Sequence, residues 1–211
     1  RVNSSGIVMT IDATNPGATI NTQNSTWTSD TTPEISFTLT DNLDAVLNYT
    51  VYVNGAENIN GTAANNTLSY VNLTTLSAIA NNTITILARD DASNTLLSSG
   101  IVMTLDNVNP GATINTQNKT WTSDTTPEIS FTLTDNLDAV LNYTVYVNGA
   151  ENINGTAANN TLSYVNLTVL SAIANNTITI LARDDASNTI LSSGIVITLD
   201  NVNPGSTIYT P

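Results

Sequence analysis

The 211-residue sequence contains no cysteine and no histidine. Without thiols, the chain has neither a disulfide framework nor a thiol nucleophile. Without either residue type, zinc sites, Cys-His nucleophiles and Ser-His-Asp triads are excluded. Each copy has only one adjacent carboxylate pair, Asp90-Asp91 in the first, and glycosidase chemistry needs two carboxyl groups that face each other across a cleft. We therefore expect a protein that is not an enzyme and has no catalytic residues.

Basic residues are also scarce. The chain has four, against 17 acidic residues, and its formal net charge at pH 7 is −13. This balance argues against nucleic acid or an anionic membrane surface as a partner, and favours cations. No run of 18 apolar residues occurs, so we expect no direct membrane insertion of this segment.

Small neutral polar residues replace the missing charges. The sequence has 32 Asn, 37 Thr and 18 Ser. A surface of such groups suits an extracellular, β-rich protein. Compositional drift in a repeated gene is the alternative explanation.

The chain is an internal repeat with a period of 94 residues. The segment SSGIVMTLDNVNP at 98–110 has counterparts at 4–16 and 192–204, and residues 7–100 differ from 101–194 at six positions. Each recurrence combines an apolar strand, an Asp and a Pro-containing break, which is typical of a domain end. We expect one repeat at 12–106 and a second at 107–200. Residues 1–11 would then be the last strand of a preceding repeat and 201–211 the first strand of a following one, in a chain cut from something longer.

Short alternating segments predict the strands of each copy. EISFTLT at 34–40 places Ile35, Phe37 and Leu39 on one face, and 47–53 and 83–88 alternate in the same way. Further strands are expected at 17–24, 66–73 and 96–105, a tight turn at Asn54-Gly55, a polar loop at 25–32 and a short helical turn at 75–80. Six or seven short strands per copy predict an all-β fold of two tandem immunoglobulin-like β-sandwich domains, with partial repeats at both ends. A small barrel is the alternative.

The ordered motifs TSDTTPEISFTLTDN, LNYTVYVNG, ARDDASNT and GIVMTLDNVNP resemble the tandem Ig-like repeats of bacterial and archaeal cell-surface proteins. The resemblance covers both copies and both partial copies. The sequence departs from that pattern in the linker DNVNPG and at Ser93, where a Gly is usual. The resemblance implies an extracellular stalk, adhesin or filament on a prokaryotic surface, and specifically an archaeal one.

Aspartates cluster in the loops that an Ig-like sandwich brings to the end where the chain enters. Oxygen-only ligands on such loops suit Ca²⁺ better than a transition metal, and a cation would relieve the repulsion among the carboxylates. We therefore expect an interdomain calcium clip at each junction, although Asp residues that only cap turns would give the same pattern. The candidate ligands are Asp12, Asp41, Asp44, Asp90 and Asp91 in the first copy and Asp106, Asp135, Asp138, Asp184 and Asp185 in the second.

Thirteen Asn-X-Ser/Thr sequons predict N-linked glycans. Asn48 and Asn142 stand at outward positions of an alternating strand, and several others fall in turns, where a glycan can be solvated. The thirteen candidates are Asn3, Asn24, Asn48, Asn60, Asn65, Asn72, Asn81, Asn118, Asn142, Asn154, Asn159, Asn166 and Asn175.

Two functions fit these features. Near-identical copies repeat the same junction, which favours a structural component of an extracellular filament or surface fibre whose partners are copies of itself. The alternative is an adhesin or recognition module that binds carbohydrate or a partner cell surface. Loops that are copied almost residue for residue favour the structural role.

Overall fold

The computed structural model describes residues 9–76, 79–170 and 174–209. It divides into two compact units, Arg1–Asp106 and Asn107–Pro211. The described part of each unit contains only strands, turns and loops. The all-β prediction is confirmed.

The described residues of unit 1 form nine strands in two sheets. β1, β3 and β6 form a three-stranded sheet, and β2, β9, β7, β4 and β5 follow one another in the second sheet, with β8 paired to one side of β7. The bounds are β1 (Gly17–Ile20), β2 (Thr26–Thr28), β3 (Glu34–Thr40), β4 (Val46–Val53), β5 (Ala56–Ala64), β6 (Leu68–Asn72), β7 (Asn81–Arg89), β8 (Thr95–Leu97) and β9 (Ile101–Leu105).

Unit 2 repeats this arrangement 94 residues later. Its three-stranded sheet has the order β10, β12, β15, and its larger sheet the order β11, β18, β16, β13, β14, with β17 paired to β16. The bounds are β10 (Gly111–Ile114), β11 (Thr120–Thr122), β12 (Glu128–Thr134), β13 (Val140–Val147), β14 (Ala150–Ala158), β15 (Leu162–Asn166), β16 (Asn175–Arg183), β17 (Thr189–Leu191) and β18 (Ile195–Leu199).

The core of each unit lies between its two sheets. Ile35, Phe37 and Leu39 of β3 are fully buried, and they face the alternate apolar residues of β4 and β7. Phe37 meets Tyr49 edge to face, with ring centroids 4.8 Å apart, and Phe131 meets Tyr143 at the same distance in unit 2. Two separate sheets around one apolar layer define an immunoglobulin-like sandwich, and the barrel alternative is wrong.

Two segments differ from the sequence-based expectation. The expected loop at 25–32 contains β2, which pairs in parallel with β9. The polar segment 56–64, for which the alternation of apolar residues gave no strand, forms β5 because its backbone pairs along the whole of β4. The predicted helical turn at 75–80 lies partly outside the described residues, as do residues 1–8 of the expected N-terminal strand.

The predicted turn between β4 and β5 is present. Asn54 has a φ of 52° and Gly55 a φ of 79°. Two successive residues with positive φ are what a tight two-residue hairpin connection requires, and Asn and Gly adopt that conformation most readily. Asn148 and Gly149 form the same turn in unit 2.

The expected single strand at 96–105 is interrupted by one extra residue. Leu97 pairs with Leu87 and Ile101 with Ile84, so four steps along one strand oppose three along β7. Ser98 bridges the gap: its backbone N donates to the Ile86 carbonyl at 2.8 Å, and its Oγ accepts from the Ile86 N at 2.9 Å. Gly100 completes the bulge, since a Cβ there would lie 3.3 Å from the methyl groups of Thr83 and Thr85.

Replacement of Ser98 by Ala is predicted to destabilise unit 1. Ser98 is 7% exposed, and its loss leaves the buried Ile86 N–H without an acceptor, which costs about 1–3 kcal/mol. Urea unfolding of the full chain should separate into two transitions, with the earlier one belonging to unit 1. Ser99→Ala, at the exposed neighbouring position, is the control and should change stability by less than about 0.5 kcal/mol. Equal effects of the two substitutions would contradict the bridging role of Ser98.

Candidate metal centre

Asp41 lies in the loop after β3, and its two carboxylate oxygens have different environments. Asp41 Oδ1 accepts hydrogen bonds from the backbone N–H groups of Leu43 at 2.8 Å and Asp44 at 3.1 Å. Its Oδ2 is buried and has no hydrogen-bond partner within the described residues. A buried carboxylate oxygen without a donor is unfavourable unless a cation or a water binds there.

The amide of Asn65 fixes this loop. Asn65 Nδ2 donates to the carbonyl oxygens of Asp41 at 2.8 Å and Asp44 at 2.7 Å, and its Oδ1 accepts from Asp41 N at 3.0 Å. One side chain therefore holds both ends of the segment 41–44. The two carboxylates consequently project from a fixed backbone.

The loop after β7 lies against the first. The backbone N–H of Asp91 donates to Asp44 Oδ2 at 2.7 Å. Asp90 instead caps its own turn, because its two carboxylate oxygens accept from Asn94 N and Asn94 Nδ2, both at 2.7 Å. Ser93 has a φ of 73°, so a serine here adopts the left-handed conformation that favours glycine.

The segment that enters unit 1 brings a third carboxylate to these loops. Asn94 Nδ2 donates to the Asp12 carbonyl at 3.3 Å. Carboxylate oxygens of Asp12, Asp41 and Asp44 all lie within 4.8 Å of one another. The donor set is entirely oxygen and sits on loops, which fits Ca²⁺.

Unit 2 has the same loops. Asp135 Oδ1 accepts from Leu137 N at 2.8 Å and Asp138 N at 2.9 Å, while Asp135 Oδ2 is buried without a partner in the described part of the chain. Asp138 is only 3% exposed, and its Oδ1 is likewise buried and unpartnered there. Burial raises the pKa of Asp138, opposed by the Asp185 N–H and reinforced by repulsion from Asp185, Asp135 and Asp184.

The other predicted ligands make hydrogen bonds within their own units. Asp184 caps its own turn through Asn188, as Asp90 does through Asn94. Asp91 and Asp185 are exposed and contribute their backbone N–H groups to the loops. Asp106 is buried, and its N–H donates to the Thr28 carbonyl at 2.9 Å. In sequence, Asp106 stands at the repeat position of Asp12.

The sequons differ in exposure. Asn3 lies outside the described residues. Asn65 and Asn159 are half-buried, and their Nδ2 atoms each donate to two loop carbonyls, so we assign these two residues to loop structure and remove them from the proposed glycan sites. The exposed sequons are Asn24, Asn48, Asn60, Asn72, Asn81, Asn118, Asn142, Asn154, Asn166 and Asn175.

Two positioning residues escaped the sequence analysis. Asn65 was counted only as a sequon, and Asn94 only as part of a loop. Asn65 lies 24 residues from Asp41 along the chain, and no local spacing relates the two residues. Asn94 follows Asp90 by four residues, so an Asx-type turn was the one signal available for it.

Comparisons with known proteins identify the fold alone. No protein-family model and no curated protein matches the sequence. The chain is similar to fibronectin(III)-like modules of Clostridium thermocellum CbhA, with 12% identity, a TM-score of 0.53, and coverage of 92% of this chain and 100% of that one. It is also similar to a marsupial T cell receptor, with 8% identity, a TM-score of 0.62, and coverage of 92% and 75%. The described residues contain no helix long and apolar enough to cross a membrane.

Calcium is predicted to bind the full chain in calorimetry after decalcification and to raise its melting temperature. Neutralising Asp41 and Asp44 together, as Asp41→Asn with Asp44→Asn, should abolish binding in unit 1 and leave unit 2 intact, so that the calcium bound per chain falls by half. Asp30→Asn is the matched control, because Asp30 precedes β3 while Asp41 follows it, at opposite ends of the strand. Absence of heat and of stabilisation in the wild-type chain would exclude the site.

Proposed function

We propose that this chain is a structural segment of an extracellular filament or surface fibre, on an archaeal cell surface, and that it has no catalytic role. The observation that carries the proposal is the repetition of one sandwich with its loops unchanged. Corresponding strands of the two units have the same lengths and nearly the same burial, and residues 7–100 and 101–194 differ at six positions. Repetition of one unit is the economical way to build an array of constant properties.

Bound calcium is part of this proposal. The unpartnered Oδ2 of Asp41 and the proximity of Asp12, Asp41 and Asp44 support a Ca²⁺ ion in unit 1. Such an ion would link the entering segment, through Asp12, to the loop after β3. The segment would then be fixed without a disulfide, and the chain has no cysteine to form one.

N-linked glycans on the exposed sequons are a further part of the proposal. Asn48, Asn72, Asn142 and Asn166 are exposed on strands. A glycan there would be solvated and would leave the core undisturbed. Native material should therefore have an intact mass above the 22.2 kDa of this polypeptide for the same residues, and tryptic glycopeptides should include these four sites. A mass equal to that of the bare chain would exclude glycosylation.

A recognition module is the second candidate. The observation in its favour is a concave region on the outer face of the larger sheet, which recurs in both units. Loops that are the same in the two units argue against the usual adhesin arrangement, in which loops diversify. A sheet face that is the same in both units is compatible with repeated binding of one ligand.

Electron microscopy of native material tests the structural role. We expect regular filaments, with an axial repeat that corresponds to one 94-residue unit or a small multiple of it. Treatment with EDTA should make the filaments more flexible, because calcium no longer links Asp12 to the loops. Isolated globular particles in native preparations, with or without calcium, would exclude the filament.

A further inference from the structure

The larger sheet of each unit has a concave outer face. The concavity measures about 650 Å³ in unit 1 and about 760 Å³ in unit 2, and equivalent residues line the two. Both volumes are within the range of small-ligand sites. In unit 1 the pairing of β4 with β5 shifts register between Val51 and Tyr52, and a bulge of this kind bends and twists a sheet. The shape therefore results from the strands and not from a loop.

The side chains of this face form short rows across three strands. In the first row, Asn48 of β4 lies opposite Thr62 of β5 and Arg89 of β7. In the second row, Thr50 lies opposite Asn60 and Leu87, and Tyr52 follows on β4. Directly opposed side chains on a sheet are about 5 Å apart, close to the width of a sugar ring. The first row in unit 2 consists of Asn142, Thr156 and Arg183.

Arg89 contributes a positive charge to the face. It is exposed, and it is the only basic residue in the described part of unit 1. No carboxylate of the described residues lies within ion-pair distance of it, although the chain carries 17 acidic residues. Its guanidinium donors are therefore available to an external anion, and a guanidinium binds a carboxylate through two parallel hydrogen bonds.

The residues near Arg89 indicate which groups the ligand carries besides its anion. Amides and hydroxyls of Asn48, Thr62 and Thr50 can donate to and accept from sugar hydroxyls. Tyr52 supplies an aromatic ring against which the C–H face of a sugar can pack. One cation on the face of each unit is too few for a nucleic acid backbone. A sheet face, unlike a sheet edge, offers no backbone pairing to a peptide.

We propose that the outer face of the larger sheet, with Arg89 in unit 1 and Arg183 in unit 2, binds a saccharide that carries a carboxylate, such as a uronic acid. The saccharide can come from two sources. It can be a free or surface polysaccharide, or it can be a glycan attached to Asn48 or Asn142, since both sequons lie in the first row of the same face. This inference rests on the second of the two proposed functions, and its failure leaves the filament proposal untouched.

The test is a calorimetric titration of the unglycosylated full chain, in EDTA, with a trisaccharide of galacturonic acid. The matched ligand is the methyl-esterified trisaccharide, in which each carboxylate is replaced by an uncharged methyl ester. We expect two equivalent sites per chain for the acid and at least tenfold weaker binding of the ester. Arg89→Ala with Arg183→Ala should weaken binding of the acid at least tenfold, and Arg89→Lys with Arg183→Lys should restore only part of it.

Lys119→Ala is the charge control. Lys119 is exposed and precedes β11, outside the face. Its replacement removes one positive charge, as each arginine substitution does, and should leave the affinity unchanged. Circular dichroism of each variant verifies that the sandwich is folded. No binding by the folded wild-type chain, equal binding of acid and ester, or an equal loss in Lys119→Ala would each overturn the proposal.

Glycosylated protein distinguishes the two sources. If the attached glycan occupies the face, the glycosylated wild-type chain will not bind the free acid, whereas the unglycosylated wild-type chain will bind it. If the face takes a free saccharide, glycosylated and unglycosylated chains will bind alike. Both results support the proposal, provided that the Arg89 and Arg183 substitutions abolish binding of the free acid by the unglycosylated chain. Binding that survives those substitutions contradicts it.

Discussion

Each unit depends on one apolar layer between two sheets. No cysteine is present, so no disulfide joins the sheets, and their association depends on alternate residues of β3, β4 and β7. Phe37 and Tyr49 cross the layer with ring centroids 4.8 Å apart. Because only every second residue of a strand enters the layer, the outward residues of the same strands can change without cost to the core. That freedom is what permits a polar, concave outer face.

Polar side chains hold the loops in place by hydrogen bonds, whereas apolar contacts hold the two sheets together. Asn65 fixes the loop at 41–44, Asn94 fixes the turn at 90–94, and Ser98 closes the gap between β8 and β9. Each of these side chains supplies both a donor and an acceptor, or pairs with a backbone group that the ladder leaves unsatisfied. The abundance of Asn in this chain therefore has a structural component, separate from its sequons.

The sequence predicted the core more completely than the loops. Ile35, Phe37 and Leu39 were identified because burial imposes a period of two on a strand, and that period is local. β5 has no such period, since most of its residues are polar and its existence depends on hydrogen bonds to β4. The contact of Asn65 with Asp41 joins residues 24 positions apart. Such long-range polar contacts leave no local pattern in the sequence. The acidic loops were therefore predicted, and the contact of Asn65 with Asp41 was not.

The two candidate sites of unit 1 carry opposite charges and lie next to each other. Arg89 ends β7 and Asp90 begins the next loop, so the basic end of the outer face adjoins the acidic loops. At physiological ionic strength, screening acts over about 8 Å, and an anion near Arg89 is therefore repelled mainly by these neighbouring carboxylates and little by the rest of the chain. A cation held by Asp12, Asp41 and Asp44 reduces that repulsion. Calcium bound at the acidic loops would therefore favour an anion on the face, and each ligand would strengthen the binding of the other by the same factor.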